Sequence, residues 1–274
     1  MSATSPSPSA PSGGERVRIL GAFCWHELHT RDRARAAEFY TRLIGWGTVG
    51  EGWYTEWVAR SGIRVGGMMA MPPSAPEDVP SHWAVYVNVA DVDASARRAI
   101  ELGGRLLSPP MDIPEIGRIS TVADPSGAAI QLFTGVNDCG VAKPDAGPGQ
   151  FCWTELLTHD PERANAFYGG LFGWTTSTMP WCDGVYTLYW RPDAKPEERI
   201  GCVGGMMPIL PEWGPMPSVW LSYIQVENVD ETASRIVPLG GTVLCPPTDI
   251  PGVGRFAVGC DPTGASFALY LATR

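Results

Sequence analysis

Glu27 and Glu155 stand at equivalent places in two copies of a Trp-x-Glu pattern, each two residues after a tryptophan, Trp25 and Trp153. Side chains two apart on a strand share a face, so each copy would aim a carboxylate and an indole into the same partly apolar space. Burial raises a carboxylate's pKa, which is what a general acid or base working near neutrality requires. Glu27 and Glu155 are therefore candidate catalytic residues; the alternative is an ion pair with Arg118 or Arg255 of a repeated Gly-Arg motif. His82 is the third catalytic candidate, because an imidazole titrates near neutral pH; its alternative is a hydrogen-bonded structural role. His26 points away from Trp25 and Glu27 and is expected at a surface or interface, and His29 has a weaker claim than His82. Trp25, Tyr86, Gln131, Trp153 and Tyr223 are the candidate substrate-binding residues, since aromatic walls hold flat or hydrophobic ligands by stacking and area burial. For Trp25 and Trp153 an interface between domains is an equal reading. Trp53, Trp181 and Trp213 are expected in loops at the mouths of the sites. Cys24 and Cys152 are expected to face away, and no Cys–His nucleophile pair is present.

These residues are set on an internal repeat. Phe23–Trp46 recurs as Phe151–Trp174 with more than half its positions identical, and Ser81–Phe133 recurs as Ser218–Tyr270 with nearly half. Both later segments run through GG, PP, DIP, GR and DP-x-GA in the same order; DIP, GR and DP-x-G read as turn punctuation. The second copy carries extra residues around Trp181–Arg199, of loop composition. In the first copy Gly21–His29 reads as a strand. Asp32 then caps a helix with Ala36, Phe39, Tyr40 and Leu43 on one face, and Asp160-Pro161 opens its counterpart. Strands are expected at Tyr54–Ala59, Gly66–Met71 and His82–Val89. A helix over Val92–Leu102, closed by Gly103-Gly104, leads to two or three more strands. Each half is thus two βαβββ units. The expected organisation is a disordered tail (1–18), domain one (19–136), a linker (137–149) and domain two (150–274).

The order of elements, the "D…A..FY..L.GW" segment, HWAVYVNVADVDAS, the GG cap and DPSGAAIQLF together resemble the vicinal oxygen chelate superfamily, which includes glyoxalase I, bleomycin-binding proteins and extradiol dioxygenases. The resemblance implies an α+β fold of four βαβββ units forming two glyoxalase-like domains in tandem, each with its strands curled into a cup. It implies a metal position on four strands, which falls on Trp25 and Trp153, near Met68 and Met206, on His82 and Val219, and on Gln131 and Ala268. A divalent metal needs about three suitable protein ligands, and an indole has no lone pair to offer. The usual ligand set is therefore incomplete and no tightly held zinc, nickel or iron is expected; a divalent metal that does bind would use His82 and Gln131. The function implied is an enzyme of lyase, isomerase or hydroxylase type acting on an aromatic or polyketide-like metabolite, in antibiotic biosynthesis or resistance. The alternative is a non-catalytic small-molecule binder of the bleomycin-resistance kind.

Composition narrows the partners. A net charge of −9 and a pI near 4.9, without a basic run, argue against nucleic acid. Apolar stretches are strand-sized and broken by Gly, so no membrane span is expected, and the Ser/Pro-rich start has no apolar signal core. Seven cysteines with no CxxC spacing argue against a disulfide framework and point to the cytoplasm. The expected assembly is a monomer whose two domains share an extensive apolar interface.

Overall fold

The computed structural model describes residues 19–72, 75–77, 79–135, 146–181, 184–194 and 201–273. The tail at 1–18, linker residues 136–145 and part of the second copy's insertion (182–183 and 195–200) lie outside them. The first unit is β1 (Phe23–Thr30), α1 (Arg33–Leu43), β2 (Gly47–Val49), β3 (Tyr54–Val58) and β4 (Arg64–Ala70). The second is β5 (His82–Asn88), α2 (Val92–Glu101), β6 (Arg105–Ile113), β7 (Gly117–Ala123) and β8 (Ala129–Gly135). The third comprises β9 (Phe151–Thr158), α3 (Pro161–Phe172), β10 (Thr175–Trp181), β11 (Gly184–Trp190) and β12 (Cys202–Pro208). The fourth has β13 (Val219–Gln225), α4 (Val229–Ser234), β14 (Thr242–Ile250), β15 (Gly254–Cys260) and β16 (Ser266–Ala272).

Each domain forms one eight-stranded sheet, ordered β2-β3-β4-β1-β5-β8-β7-β6 and β10-β11-β12-β9-β13-β16-β15-β14. The antiparallel pairs β1–β5 and β9–β13 sit at the centres and join the two units of each domain. The fold is therefore α+β, two glyoxalase-like domains in tandem.

Local chemistry explains the helices. Asp32, Asp91, Asp160 and Asn228 each accept a hydrogen bond from the backbone N–H three residues on, satisfying one of the orphan donors of a helix start. The copies differ at α4, which stops at Ser234 and continues only as a 3-10 turn over Val237–Leu239. Pro238 is the cause, because its ring clashes with the carbonyl four residues back and it has no N–H to donate.

One face of each sheet carries the helices, and there the two domains merge. Phe39, Tyr40 and Trp46 of unit one share a core with Ile224, Ile236 and Phe267 of unit four. Val85, Val87 and Leu132 of unit two share another with Phe167, Tyr168 and Trp174 of unit three. Phe23 packs on Trp174 and Trp220 at ring-centre distances of 5.7 and 5.2 Å. Indole N–H groups tie the halves at both ends, Trp46 to the Gly149 carbonyl at 2.6 Å and Trp174 to that of Gly21 at 2.8 Å. The DP-x-G aspartates do more than the turn punctuation expected of them. Asp124 accepts from Ser126 and Ala128 N–H and also from the Tyr168 hydroxyl of the other domain at 3.1 Å. Asp261 likewise accepts from Thr263 and Ala265 N–H, and its charge acts on Tyr40 of the other domain. His26 is buried at this junction, stacked on Phe151 at 4.0 Å with Nε2 3.3 Å from Thr154 Oγ1. Burial pushes it down to about 3, so it is neutral there.

Candidate functional site

The opposite face of each sheet forms the cup. In domain one, register places Trp25 against Tyr86, Glu27 against Ala84 and His29 against His82, with Tyr86 in turn beside Gln131. On the other flank Glu27 is level with Gly67, and Gly67 with Glu56. Trp25, Glu27, His29, Tyr86, His82 and Gln131 therefore share one face. Trp25 packs with Ala84, Tyr86 and Phe133, and Trp153 packs with Leu221, Tyr223 and Ala268. Both tryptophans thus belong to cups, and the interface reading is set aside.

Glu27 is the centre of this face. It is 5 % exposed. Tyr86 donates its hydroxyl to Oε1 at 2.6 Å and His29 Nε2 lies 2.7 Å from the same oxygen. Tyr54 hydrogen-bonds the carboxylate as well, while accepting from Trp25 Nε1 at 3.0 Å. Burial alone would raise the carboxyl's pKa, but His29 and the two tyrosines outweigh it and hold Glu27 below the ordinary glutamate value. Burial and the neighbouring carboxylate push both tyrosines up, so they remain neutral donors. Arg118 takes no part. Its guanidinium pairs with Asp93 at 2.6 Å and Asp112 at 2.9 Å, and Arg255 does the same with Asp230 and Asp249. The ion pair weighed for Glu27 and Glu155 does not form.

His82 sits at the strand end with Nδ1 3.0 Å from the Pro80 carbonyl and its ring edge-on to His29 at 5.1 Å. Burial lowers its pKa, against the hydrogen bond to Pro80. Gln131 accepts from Thr121 Oγ1 at 2.6 Å.

The four positions that would carry a metal do not converge. Trp25 donates through its only nitrogen. Met68 points to the helix face, buried in the core with Leu28, and Met206 does likewise in domain two. The oxygen of Gln131 is engaged by Thr121, and His82 stands beyond His29. Among the described residues no three His, Cys, Asp or Glu side chains cluster as a metal site would need. These donors do not fit the superfamily's metal centre.

Domain two repeats the carboxylate cage in an apolar setting. Tyr223 donates to Glu155 Oε2 at 2.7 Å, Trp153 Nε1 donates to Tyr186 at 2.8 Å, and Tyr186 hydrogen-bonds Glu155. Leu157 replaces His29, Val219 replaces His82 and Ala268 replaces Gln131. Without an imidazole, burial wins over the two tyrosines and Glu155 is raised. Met207, Ile209, Met216, Phe256, Val258 and Tyr270 complete this half-buried wall.

Several features escape a reading of the residues alone. Tyr54 and Tyr186 are missed, although Tyr-Thr recurs in both copies ahead of Gly-Gly-Met-Met. The second glycine of that run makes the cage possible, because a Cβ at Gly67 or Gly205 would overlap the hydroxyl of Tyr54 or Tyr186. His29 is underrated, although it lies two residues beyond Glu27 on the same face. Cys24 and Cys152 do not face away. A β-bulge at each turns them into the cup clusters beside Tyr86 and Tyr223, where burial pushes the Cys152 thiol up to about 12. Trp181 ends strand β10 instead of lying in a loop and packs on Tyr186 at 5.9 Å. Trp53 and Trp213 are exposed. Two grooves of about 270 and 410 Å3 lie elsewhere, beside Asn88–Asp91 and Gln225–Glu227.

Comparison with known proteins follows this geometry. A family model described as a glyoxalase-like domain matches residues 25–133. CFP32 of Mycobacterium tuberculosis, provisionally named a glyoxylase, is 38% identical over 251 residues, covering 89% of this chain and 92% of that protein. The anthracycline biosynthesis protein DauV of Streptomyces sp. strain C5 is 34% identical over 268 residues, 91% of this chain and 92% of its own length. The Mn(II)-bound glyoxalase of Novosphingobium aromaticivorans superposes with a TM-score of 0.60 at 16% identity, over 93% of this chain and 83% of its own, a likeness of fold.

Proposed function

The chain belongs to the glyoxalase-like family of the vicinal oxygen chelate superfamily, and from that premise we propose that it is an enzyme acting on a small, flat, aromatic or polyketide-like metabolite by proton transfer in the cup of domain one. One observation carries the reading. Glu27 is a buried carboxylate held ionised by two tyrosine hydroxyls and an imidazole, and among the described residues no arginine pairs with it. A fixed anion beside neutral donors can stabilise positive charge that develops as a proton leaves the ligand, which suits a lyase, isomerase or hydroxylase-type step. Glu27 and His82 are the proton-handling groups, Gln131 an orienting amide, and Trp25, Tyr86 and Phe133 the walls. DauV, named for anthracycline biosynthesis, favours a polycyclic aromatic substrate. The cup works without metal in this proposal. The protein is a monomer of a reducing cytoplasm, where the thiols of Cys152 and Cys202 stay reduced.

The test uses 1,4-dihydroxyanthraquinone as a probe, with binding followed by calorimetry and products by mass spectrometry. Wild type should bind it, and Trp25→Ala and Glu27→Gln should each weaken binding about tenfold or more, a loss of about 1.4 kcal/mol or more. Binding unaffected by either substitution would remove cup one from the function. A second reading, sequestration without chemistry, is favoured by cup two, whose wall offers a ligand apolar surface around a single caged carboxyl. Binding with no product from any aromatic tested would select it.

A further inference from the structure

We propose that His29 is the residue that takes the ligand's proton in cup one, with Glu27 as its positioning residue, and that cup two, where Leu157 stands in its place, binds without proton transfer. This inference rests on cup one being the site, and deepens that reading by changing which group meets the ligand. The Glu27 carboxylate is enclosed, accepting from Tyr86 at 2.6 Å, from Tyr54 and from His29 at 2.7 Å. A carboxylate with that many donors has little capacity left to attract another proton. His29 is the accessible half of the pair, its side chain 19% exposed against 7% for Glu27.

The pairing also fixes a tautomer. An ionised carboxylate only accepts, so the His29 nitrogen facing it, Nε2, carries hydrogen, and in the neutral ring the lone pair is on Nδ1. A buried carboxylate on one imidazole nitrogen, preparing the other as a base, is the arrangement that makes histidine an effective proton acceptor in hydrolases. His82, edge-on at 5.1 Å with its own Nδ1 turned to Pro80, limits how the His29 ring can turn. Among the described residues, the other groups facing the pair are the neutral phenols Tyr54 and Tyr86 and Glu56, which is paired with Arg64 at 2.9 Å.

The step is simple. A ligand O–H bond breaks, an N–H bond forms at His29 Nδ1, and the electron pair remains on oxygen as a phenolate. The imidazolium is balanced by the Glu27 carboxylate. No oxidant or further reactant enters.

The experiment again uses 1,4-dihydroxyanthraquinone, whose visible absorption differs between phenol and phenolate. At neutral pH the bound probe should show the phenolate spectrum with wild type. His29→Asn keeps an N–H for Glu27 but offers no basic nitrogen. It should bind the probe as a folded protein with unchanged far-ultraviolet circular dichroism, and its bound phenolate-to-phenol ratio should fall about tenfold, the ratio that one pKa unit represents. Leu157→His should build the pair in cup two and raise the phenolate formed per chain. A phenolate band that survives in His29→Asn, or a wild-type complex holding only the phenol, would overturn the assignment to His29 while leaving cup one as the binding site. No binding at all would overturn the aromatic-ligand reading and this inference with it.

Discussion

Glu27 and Glu155 occupy equivalent strand positions between equivalent pairs of tyrosine hydroxyls, Tyr54 and Tyr86 against Tyr186 and Tyr223, and one neighbouring residue drives their protonation in opposite directions. His29 lies 2.7 Å from Glu27, whereas the residue in register beyond Glu155 is Leu157. Burial acts on both carboxyls; only in domain one does an imidazole overcome it.

Stability should follow from that difference. The folded state lowers Glu27, so its contribution is present above the ordinary glutamate value of 4.5 and is lost as pH falls through the lower folded value. Glu155 is raised, so its contribution is greatest below 4.5 and is lost as pH climbs through the higher folded value. Melting temperature against pH should therefore change shape on opposite sides in two variants. Glu27→Gln should remove part of the acid-side loss, and Glu155→Gln part of the decline as pH rises from 4.5 toward neutrality. Identical pH profiles for the two variants would contradict the assignment.

Much of this was legible in the sequence, and the parts that were not share a cause. The repeat fixes the four units, because Phe23–Trp46 and Ser81–Phe133 carry their hydrophobic period and caps twice over. Trp25 and Glu27 could be placed together by strand alternation alone. Alternation fails at Cys24, where a bulge adds a residue and turns it to the cup side, and only pairing with Val87 and Tyr86 reveals this. Tyr54 could not be placed, since its partner Tyr186 lies where the copies differ in length and lose alignment. The expected metal position near Met68 falls on the wrong side, because Met68 shares the helix face with Leu28 while its neighbour Gly67 lies on the cup face. Pairing between strands, absent from any local pattern, decides each case.

Gly67 offers a direct test of the cage. Tyr54 must cross the strand carrying Gly67 to reach Glu27, and a Cβ there overlaps its ring and hydroxyl. Gly67→Ala should cost about 1–3 kcal/mol of stability, the usual range for overpacking, and displace the tyrosine. In Gly67→Ala/Tyr54→Ala the loss should be clearly less than the sum of the single losses, measured by denaturant unfolding. Strict additivity would show that the two side chains do not meet.

The junction between domains should behave as a core. Phe23 of domain one packs on Trp174 and Trp220 of domain two, so Phe23→Ala should cost about 3–5 kcal/mol and the domains should still unfold together. A protease site placed at 138–144 and cleaved should leave the halves associated, co-eluting in gel filtration at the mass of one chain. Halves that separate on cleavage, or an obligate dimer by sedimentation, would refute both the shared core's sufficiency and the monomer.

Metal content gives the last test. In domain one the positions a metal would use hold an indole N–H already donated to Tyr54, a methionine on the far face and an amide oxygen engaged by Thr121. One histidine, His82, remains, and a single neutral imidazole does not retain a divalent ion against a chelator. Protein dialysed against a chelator should carry well under about 0.1 equivalent of manganese, zinc or iron per chain, where an intact site of three or more ligands would hold about one. Its binding of 1,4-dihydroxyanthraquinone should be unchanged by the dialysis. Near-stoichiometric metal after that treatment, lost together with probe binding in His29→Asn, would make the Glu27–His29 pair a ligand set instead of a proton acceptor and its support.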